Sequence, residues 1–440
     1  MTAPPSSLHL QGRRVLVVGL ARSGRAAAAL CRDEGARVTC TDLRPGIEAV
    51  PGCRMVLGAH PREEFLEADL VVLSPGVPAT QPDLQAAVAA GVPVVGELAL
   101  AAERLCAPIL AVSGTNGKST VTHFTGQLLS GAGSRAFVGG NIGRPLSEAV
   151  ALGPWDHVVA EVSSYQLEWP GRLTPAAACI LNLTPDHLGR HGTMEVYGAT
   201  KCRLFDRMGP AAAALLPWGD ALLARLAEGR GGARRWIGER PGVWIEGADC
   251  LWDAGDGAPR RVSLAGFRVP GAHNRWNAAV ALALALAVGV PAEALDPATL
   301  SALAHRMEVV AERDGVTWIN DSKATNVAAA LTGLAGLGRP AIALLGGDGK
   351  DGEDYGLLAG ALGDSPAVIC FGRSGDTIAA ALSSLRPHRV GTMAEAVAVA
   401  RRLAGPGAAV VLSPACASFD EFQNFEHRGD VFRALALESA

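Results

Sequence analysis

The chain has 440 residues, 49% of them hydrophobic and 19% charged, enough apolar material for folded cores and the opposite of a disordered composition. A net charge of −4 takes weight away from a dedicated nucleic-acid binder. Nine scattered cysteines, an odd count with no C-x-x-C pair, argue against a disulfide framework or a zinc site and fit a reducing compartment.

At roughly 150 residues per domain, the length predicts about three domains. The opening MTAPPSSLHLQGRR has no apolar signal-peptide core. The first unit, residues 1–96, starts with a buried strand at 14–19, the Gly-rich turn GLARSG at 19–24 and an Ala-rich helix to about Glu34. A second strand ends at Asp42, and another, DLVVLS at 69–74, runs into the turn Pro75-Gly76. A helix at 82–90 and a strand at 92–95 close it. Strands alternating with helices predict an α/β fold with a parallel, doubly wound sheet. GLARSG followed by Asp42 is a Rossmann-like fingerprint with Ala21 in place of its second Gly, and a plain tight turn fits equally well. Together with Ser74-Pro75-Gly76 it lines one crevice of an open sheet, where ligands bind.

The second unit, 97–303, opens with a helix from Glu97, then the strand PILAVS (108–113), the turn GTNGKST (114–120) and a helix to about Leu129. Strands follow at 157–164 and 177–183. Residues 210–262 are weakly periodic and read as short strands and loops. The longest apolar run, 278–290, has 13 residues. A membrane helix needs about 20, so a core helix starting near Asn274 is expected, in a cytoplasmic protein. The third unit, 304–440, alternates again, with strands at 317–321, 341–347, 367–372 and 408–414.

GTNGKST is the sharpest signal, because it follows an apolar strand and precedes a helix. Glycines let the backbone wrap anionic oxygens at a helix N-terminus. Lys118 then reaches the β/γ-phosphates and Ser119 offers a hydroxyl to Mg²⁺. The spacing departs from G-x-x-x-x-G-K-[ST], with Val112 at the first Gly position. Glu161 at a strand end suits Mg²⁺, and His187, just after Asp186, is a candidate for a metal or a phosphate. Asn141 lies in the NIG turn. INDSKATN (319–326) sets Asp321, Lys323 and Thr325 at a strand–helix junction suited to a carboxylate. In SPACASFDEFQNFEHRGDVF, Phe419, Phe422 and Phe425 fall at i, i+3, i+6, as one helical core face would, and Ser418 reads as a plain helix cap. Only four of the 39 basic residues are Lys (Lys118, Lys201, Lys323 and Lys350), which makes each a candidate for work that Arg cannot do.

GTNGKST, GNIG, EVSSYQLE, NLTPDH, GAHNRWN, HRMEVV, NDSKATN, GGDGK and SPACASFDEFQNFEHRG stand in the order of the Mur ligase family, which the chain resembles over essentially its whole length. The resemblance implies three domains: Rossmann-like at 1–96, a P-loop ATPase-type parallel sheet at 97–303 and Rossmann-like at 304–440. It implies an ATP-dependent ligase that adds D-glutamate to UDP-N-acetylmuramoyl-L-alanine through an acyl phosphate. ATP would lie on Gly114, Thr115, Asn116, Gly117, Lys118, Ser119 and Thr120, with Asn274, Arg306 and Asp321 at its adenine and ribose side. The UDP substrate would meet Leu20, Ala21, Arg22, Asp42, Arg44, Ser74 and Gly76, then Asn141 and His187. D-Glutamate would meet Lys323, Thr325, Lys350, Ser418, Phe419 and Phe425. Two Mg²⁺ are implied, one on Ser119 and Glu161, the second on His187 and Lys201. Lys201 matches a lysine that the family carries as a carbamate, which makes Lys118, Glu161, His187 and Lys201 the catalytic set. The implied protein is a monomer with small-molecule substrates, no nucleic acid, no membrane and ligand-induced domain closure. A folate-glutamate ligase shares the phosphate loop but usually lacks the first domain. A P-loop binding protein leaves NDSKATN and SPACAS without work, and a nicotinamide oxidoreductase leaves GTNGKST without work.

Overall fold

The computed structural model describes residues 8–350 and 352–438, and their strands form three sheets. The first sheet holds β1 (Arg14–Val18), β2 (Arg37–Asp42), β3 (Arg54–Leu57), β4 (Leu70–Leu73) and β5 (Val94–Gly96). All are parallel, in the order β3-β2-β1-β4-β5. β4 is buried throughout and β1 all but its first residue, as strands covered on both faces must be. Strand order reverses between β1 and β4, so their following loops diverge and leave a crevice. A Cβ on Gly24 would sit 1.8 Å from the Gly19 carbonyl oxygen, so only glycine lets the helix Arg22–Asp33 pack on this turn.

The second sheet has nine strands: β6 (Ile109–Ser113), β7 (Ala136–Gly140), β8 (His157–Glu161), β9 (Ala177–Ile180), β10 (Ala213–Pro217), β11 (Ala233–Ile237), β12 (Gly242–Glu246), β13 (Asp249–Trp252) and β14 (Arg260–Ser263). Their order is β14-β13-β12-β11-β10-β9-β6-β8-β7, with β13 antiparallel to both β12 and β14 and the other pairs parallel. The strands expected over 157–164 and 177–183 stop at Glu161 and Ile180, where the chain leaves the sheet to form loops. Glu97, directly after β5, is fully buried and its Oε1 accepts the Ser147 amide at 2.7 Å. That bond ties the end of the first sheet to the start of the helix Leu146–Leu152. Burial pushes the Glu97 carboxyl up to about 7 against the opposing pull of Ser147.

The third sheet holds β15 (Glu308–Arg313), β16 (Val316–Asn320), β17 (Ile342–Gly346), β18 (Val368–Phe371), β19 (His388–Arg389) and β20 (Ala409–Leu412), in the order β15-β16-β20-β17-β18-β19. Only the edge pair β15–β16 is antiparallel. By contacts, residues up to Ser263 together with Ala278–Pro297 make one compact unit, and Leu264–Asn277 with residues from Ala298 on make a second. The apolar run up to Ala287 lies in the helix Ala272–Ala287, whose Ala278–Ala285 stretch is buried as expected of a core helix. Among the described residues, no helix is long and apolar enough to cross a membrane.

Candidate active site

Four neighbouring strands, β9-β6-β8-β7, send their carboxyl-end loops to one edge of the second sheet. The loop after β6 carries Gly114–Gly117 and enters the helix Lys118–Gly131. Gly117 is left-handed at φ 82, the conformation that turns the chain into the helix. Asn182, beyond β9, clamps the loop. Its Oδ1 accepts the amides of Thr115 (3.1 Å) and Asn116 (2.8 Å), and its Nδ2 donates to the Asn116 carbonyl. The Lys118 ammonium lies over its own loop, donating to the carbonyls of Gly114 (3.0 Å) and Thr115 (2.8 Å). The helix N-terminus at Lys118, with that cation beside it, is the geometry of an anion cradle.

Lys201 is 1% exposed, and its Nζ donates to the same Gly114 carbonyl at 2.8 Å and lies 4.6 Å from the Tyr197 ring. Burial first, then the charge of Lys118, pushes its pKa down to about 7, against the opposing pull of Asp186 and Glu161. Glu161, at the end of β8, pairs in register with Val112 of β6 and Gly140 of β7. Its Oε1 accepts the Asn141 side-chain amide at 2.7 Å, while Oε2 is buried with no hydrogen-bond partner. A buried carboxylate oxygen without a donor suits a hard cation. Among the described residues no group of three or more His, Cys, Asp or Glu could hold a metal ion. Mg²⁺ sites use one or two carboxylates and take their remaining oxygens from phosphate and water. His187 is left-handed at φ 53, with Nδ1 3.1 Å from the Tyr165 hydroxyl and Nε2 3.4 Å from Asp186.

The crevice of the first sheet is a cavity of about 520 Å³. All seven residues expected there from that sheet line it: Leu20, Ala21, Arg22, Asp42, Arg44, Ser74 and Gly76. The Asp42 carboxylate accepts the Leu20 amide at 2.7 Å and the Arg44 guanidinium at 3.0 Å. Chiefly the Arg44 side chain holds that carboxyl well below the usual range. Arg22 donates to the Gly143 carbonyl at 3.0 Å, which joins the cavity to the NIG turn and Asn141.

In the second unit, β16, β20 and β17 are adjacent, and their carboxyl-end loops carry Lys323 and Thr325, Ser418 and Phe419, and Lys350. Lys323 Nζ lies 3.6 Å from the Phe425 ring centroid. Arg428 is fully buried and donates to Ser322 Oγ (2.9 Å) and to the carbonyls of Ser322, Cys416 and Ala417, fastening two of these loops together. Asp321 is buried, accepts the Ser413 hydroxyl at 2.8 Å, and is pushed up to about 7 by burial. Asn274 is buried and donates to the Pro270 carbonyl at 2.6 Å, and Arg306 is half-buried. The expected phenylalanine stripe is corrected. The helix begins only at Phe425, capped by Asn424, so Phe419 and Phe422 precede it and Ser418 does not cap it. Phe419 is 68% exposed and Phe422 packs against the core. Asn182, Tyr165 and Arg428 escaped the sequence reading as individual residues, although all three lie inside quoted motifs, and Glu97 was read only as the start of a helix.

Family descriptions match all three regions. "Mur ligase MurD-like, N-terminal domain" covers 13–96, "Mur ligase middle domain" 112–285 and "Mur ligase, glutamate ligase domain" 305–416. A UDP-N-acetylmuramoylalanine–D-glutamate ligase of Anaeromyxobacter dehalogenans is 43% identical, with 100% of both chains covered. Another, of Pelotomaculum thermopropionicum, is 41% identical over 97% of each chain. The solved structure of MurF from Acinetobacter baumannii is similar in fold, with a TM-score of 0.59 at 17% identity, covering 100% of this chain and 93% of that one.

Proposed function

The chain belongs to the Mur ligase family, and from that membership we propose how its residues work. It is an ATP-dependent ligase that joins D-glutamate to UDP-N-acetylmuramoyl-L-alanine, a step in making the peptidoglycan precursor. A carboxylate is a poor electrophile, so the γ-phosphoryl group of ATP passes to the substrate carboxylate and gives an acyl phosphate and ADP. The D-glutamate amine then attacks the activated carbonyl, phosphate leaves and the amide remains.

One observation carries the residue-level reading: the phosphate loop, the buried Lys201 amine and the unpartnered Glu161 oxygen belong to one sheet edge. Two anions must meet during phosphoryl transfer. Lys118 and the amides of the loop screen that repulsion. Ser119 and Glu161 would hold one Mg²⁺, and His187 with Lys201 a second. Bound there, the metal neutralises charge on the phosphoryl oxygens. Lys201 serves as a carbamate: its neutral amine adds CO₂, loses a proton and becomes an anionic oxygen donor. Asn141 holds Glu161 Oε1 and leaves Oε2 for the cation.

We assign residues 1–96 to the UDP substrate, 97–303 to ATP and 304–440 to the amino acid. The cavity with Arg22, Asp42 and Arg44 takes the uridine nucleotide. Lys323, Thr325, Lys350, Ser418, Phe419 and Phe425 take D-glutamate, and Asn274, Arg306 and Asp321 take the adenine and ribose side of ATP. The working form is a monomer in the cytoplasm, without nucleic-acid or membrane partners.

The test is an amino-acid panel with ATP, Mg²⁺ and UDP-N-acetylmuramoyl-L-alanine, reading phosphate release and product mass. Phosphate and a new amide are expected with D-glutamate alone. Turnover with another amino acid moves the chain to a sibling ligase. No turnover in folded, ATP-binding protein defeats the ligase reading.

A further inference from the structure

Arg190 has no part in the roles above, yet its guanidinium makes three kinds of contact at once. Its Nε and Nη2 grip the Glu168 carboxylate at 2.7 and 2.6 Å. The same Nη2 donates to the Val77 carbonyl at 2.9 Å. Its plane covers the Tyr165 ring, 4.2 Å from the centroid. Val77 lines the cavity of the first sheet, beside Gly76. At the other end, the Tyr165 hydroxyl lies 3.1 Å from His187 Nδ1, with the two rings 5.0 Å apart. The Arg190 amide also donates to the His187 carbonyl at 2.9 Å, and His187 immediately precedes the short helical turn Leu188–His191 that carries Arg190.

Each link is stiff. A two-point Arg–carboxylate bond fixes the guanidinium plane, a planar cation stacks on an aromatic face, and a hydroxyl on one imidazole nitrogen orients the ring. We propose that Arg190 and Tyr165 are positioning residues that carry the state of the uridine-nucleotide cavity to His187. The inference rests on our reading that the cavity takes the nucleotide and that His187 serves the reacting end. It makes a cavity filled by the nucleotide one condition for a correctly set His187, so nucleotide and reacting carboxylate are sensed together.

The test uses full-length protein and UDP as the probe, without ATP or Mg²⁺. Ring nitrogens of His187 are followed by NMR, assigned by their loss in His187→Gln. UDP is expected to shift the His187 signals in the wild type. In Arg190→Lys the shift falls about threefold or more while calorimetry still detects UDP binding, since the carboxylate fork and the stacking are lost. In turnover, Tyr165→Phe lowers kcat about tenfold and leaves KM for D-glutamate unchanged, because it removes one hydroxyl and keeps the ring. The double variant is expected within about twofold of the weaker single variant, as groups acting through one another are non-additive. An identical UDP-induced shift in Arg190→Lys, a silent Tyr165→Phe, or losses that multiply in the double variant would overturn the relay. If the wild type fails to bind UDP, the relay falls too. Absent turnover with UDP still moving His187 in the wild type and not in Arg190→Lys defeats only the ligase reading.

Discussion

Buried beside the phosphate loop, the Lys201 amine titrates near 7, so a large share of it is neutral at physiological pH. Only a neutral amine adds CO₂, and a guanidinium stays charged. Lys201→Ala is therefore expected to lose activity by about 100-fold or more, the scale of losing a group that stabilises transition-state charge. Acetate or formate should restore part of it, and Lys201→Arg should stay inactive with either; a fully active alanine variant would remove the carbamate from the mechanism. Glu97 makes a different prediction, about stability. Its folded pKa of about 7 lies above the ordinary 4.5. Its contribution is thus fully present below the unfolded pKa and lost as pH rises through 7. Glu97→Gln abolishes that dependence, so its melting temperature relative to the wild type should climb between pH 5 and pH 8. The difference amounts to at most about 3 kcal/mol. A constant difference across that range contradicts a buried, titrating Glu97. The phosphate loop and the rare lysines were legible in the sequence because their chemistry is local. Glu97 and Tyr165 were not, since Ser147 and His187 lie far along the chain and no spacing announces them.

At the scale of elements, the edge of the second sheet depends on how closely β7 and β8 approach. Gly140 has φ 98, and a Cβ there would stand 2.4 Å from the Glu161 carbonyl oxygen. Gly140→Ala should displace the end of β8 and cost about 1–3 kcal/mol, with kcat falling as Glu161 moves. Gly133→Ala is the control, since its φ is 84 but nothing lies within 4 Å. It should lose about 1 kcal/mol and keep kcat. Equal kcat in both variants means that the position of Glu161 is not critical. Most buried parallel strands were legible as apolar runs. β11 was hidden because all five of its residues are half-buried, which erases both the run and the alternation. The phenylalanine stripe misled because a spacing of three implies one face only where a helix exists, and the chain from 419 to 424 is turns.

For the whole molecule, contacts gather two compact units, and the cavity of the first sheet lies wholly in the first. Calorimetry is expected to resolve two unfolding transitions. UDP at about 100 times its Kd stabilises only the first unit, by about 2.7 kcal/mol. A single transition that moves as a whole would show instead that the units unfold together. Length predicted about three domains and alternation predicted parallel α/β units, and the strands form three sheets rich in parallel pairs. Neither could give the grouping of Leu264–Asn277 with the third sheet, because a loop and the first turns of a helix carry no mark of the partner they pack on.

That grouping bears on inheritance. The helix Ala272–Ala287 changes allegiance between Asn277 and Ala278, and the chain crosses again after Pro297. A single recombination point at residue 298 would hand a sibling gene the third sheet without Leu264–Asn277, stranding part of its unit in the parent. Exchange of the whole second unit between related genes therefore needs three breakpoints, ahead of Leu264, Ala278 and Ala298, or one placed ahead of Leu264 that also carries off Ala278–Pro297. Such a chain should diversify by substitution in its loops more readily than by shuffling of modules.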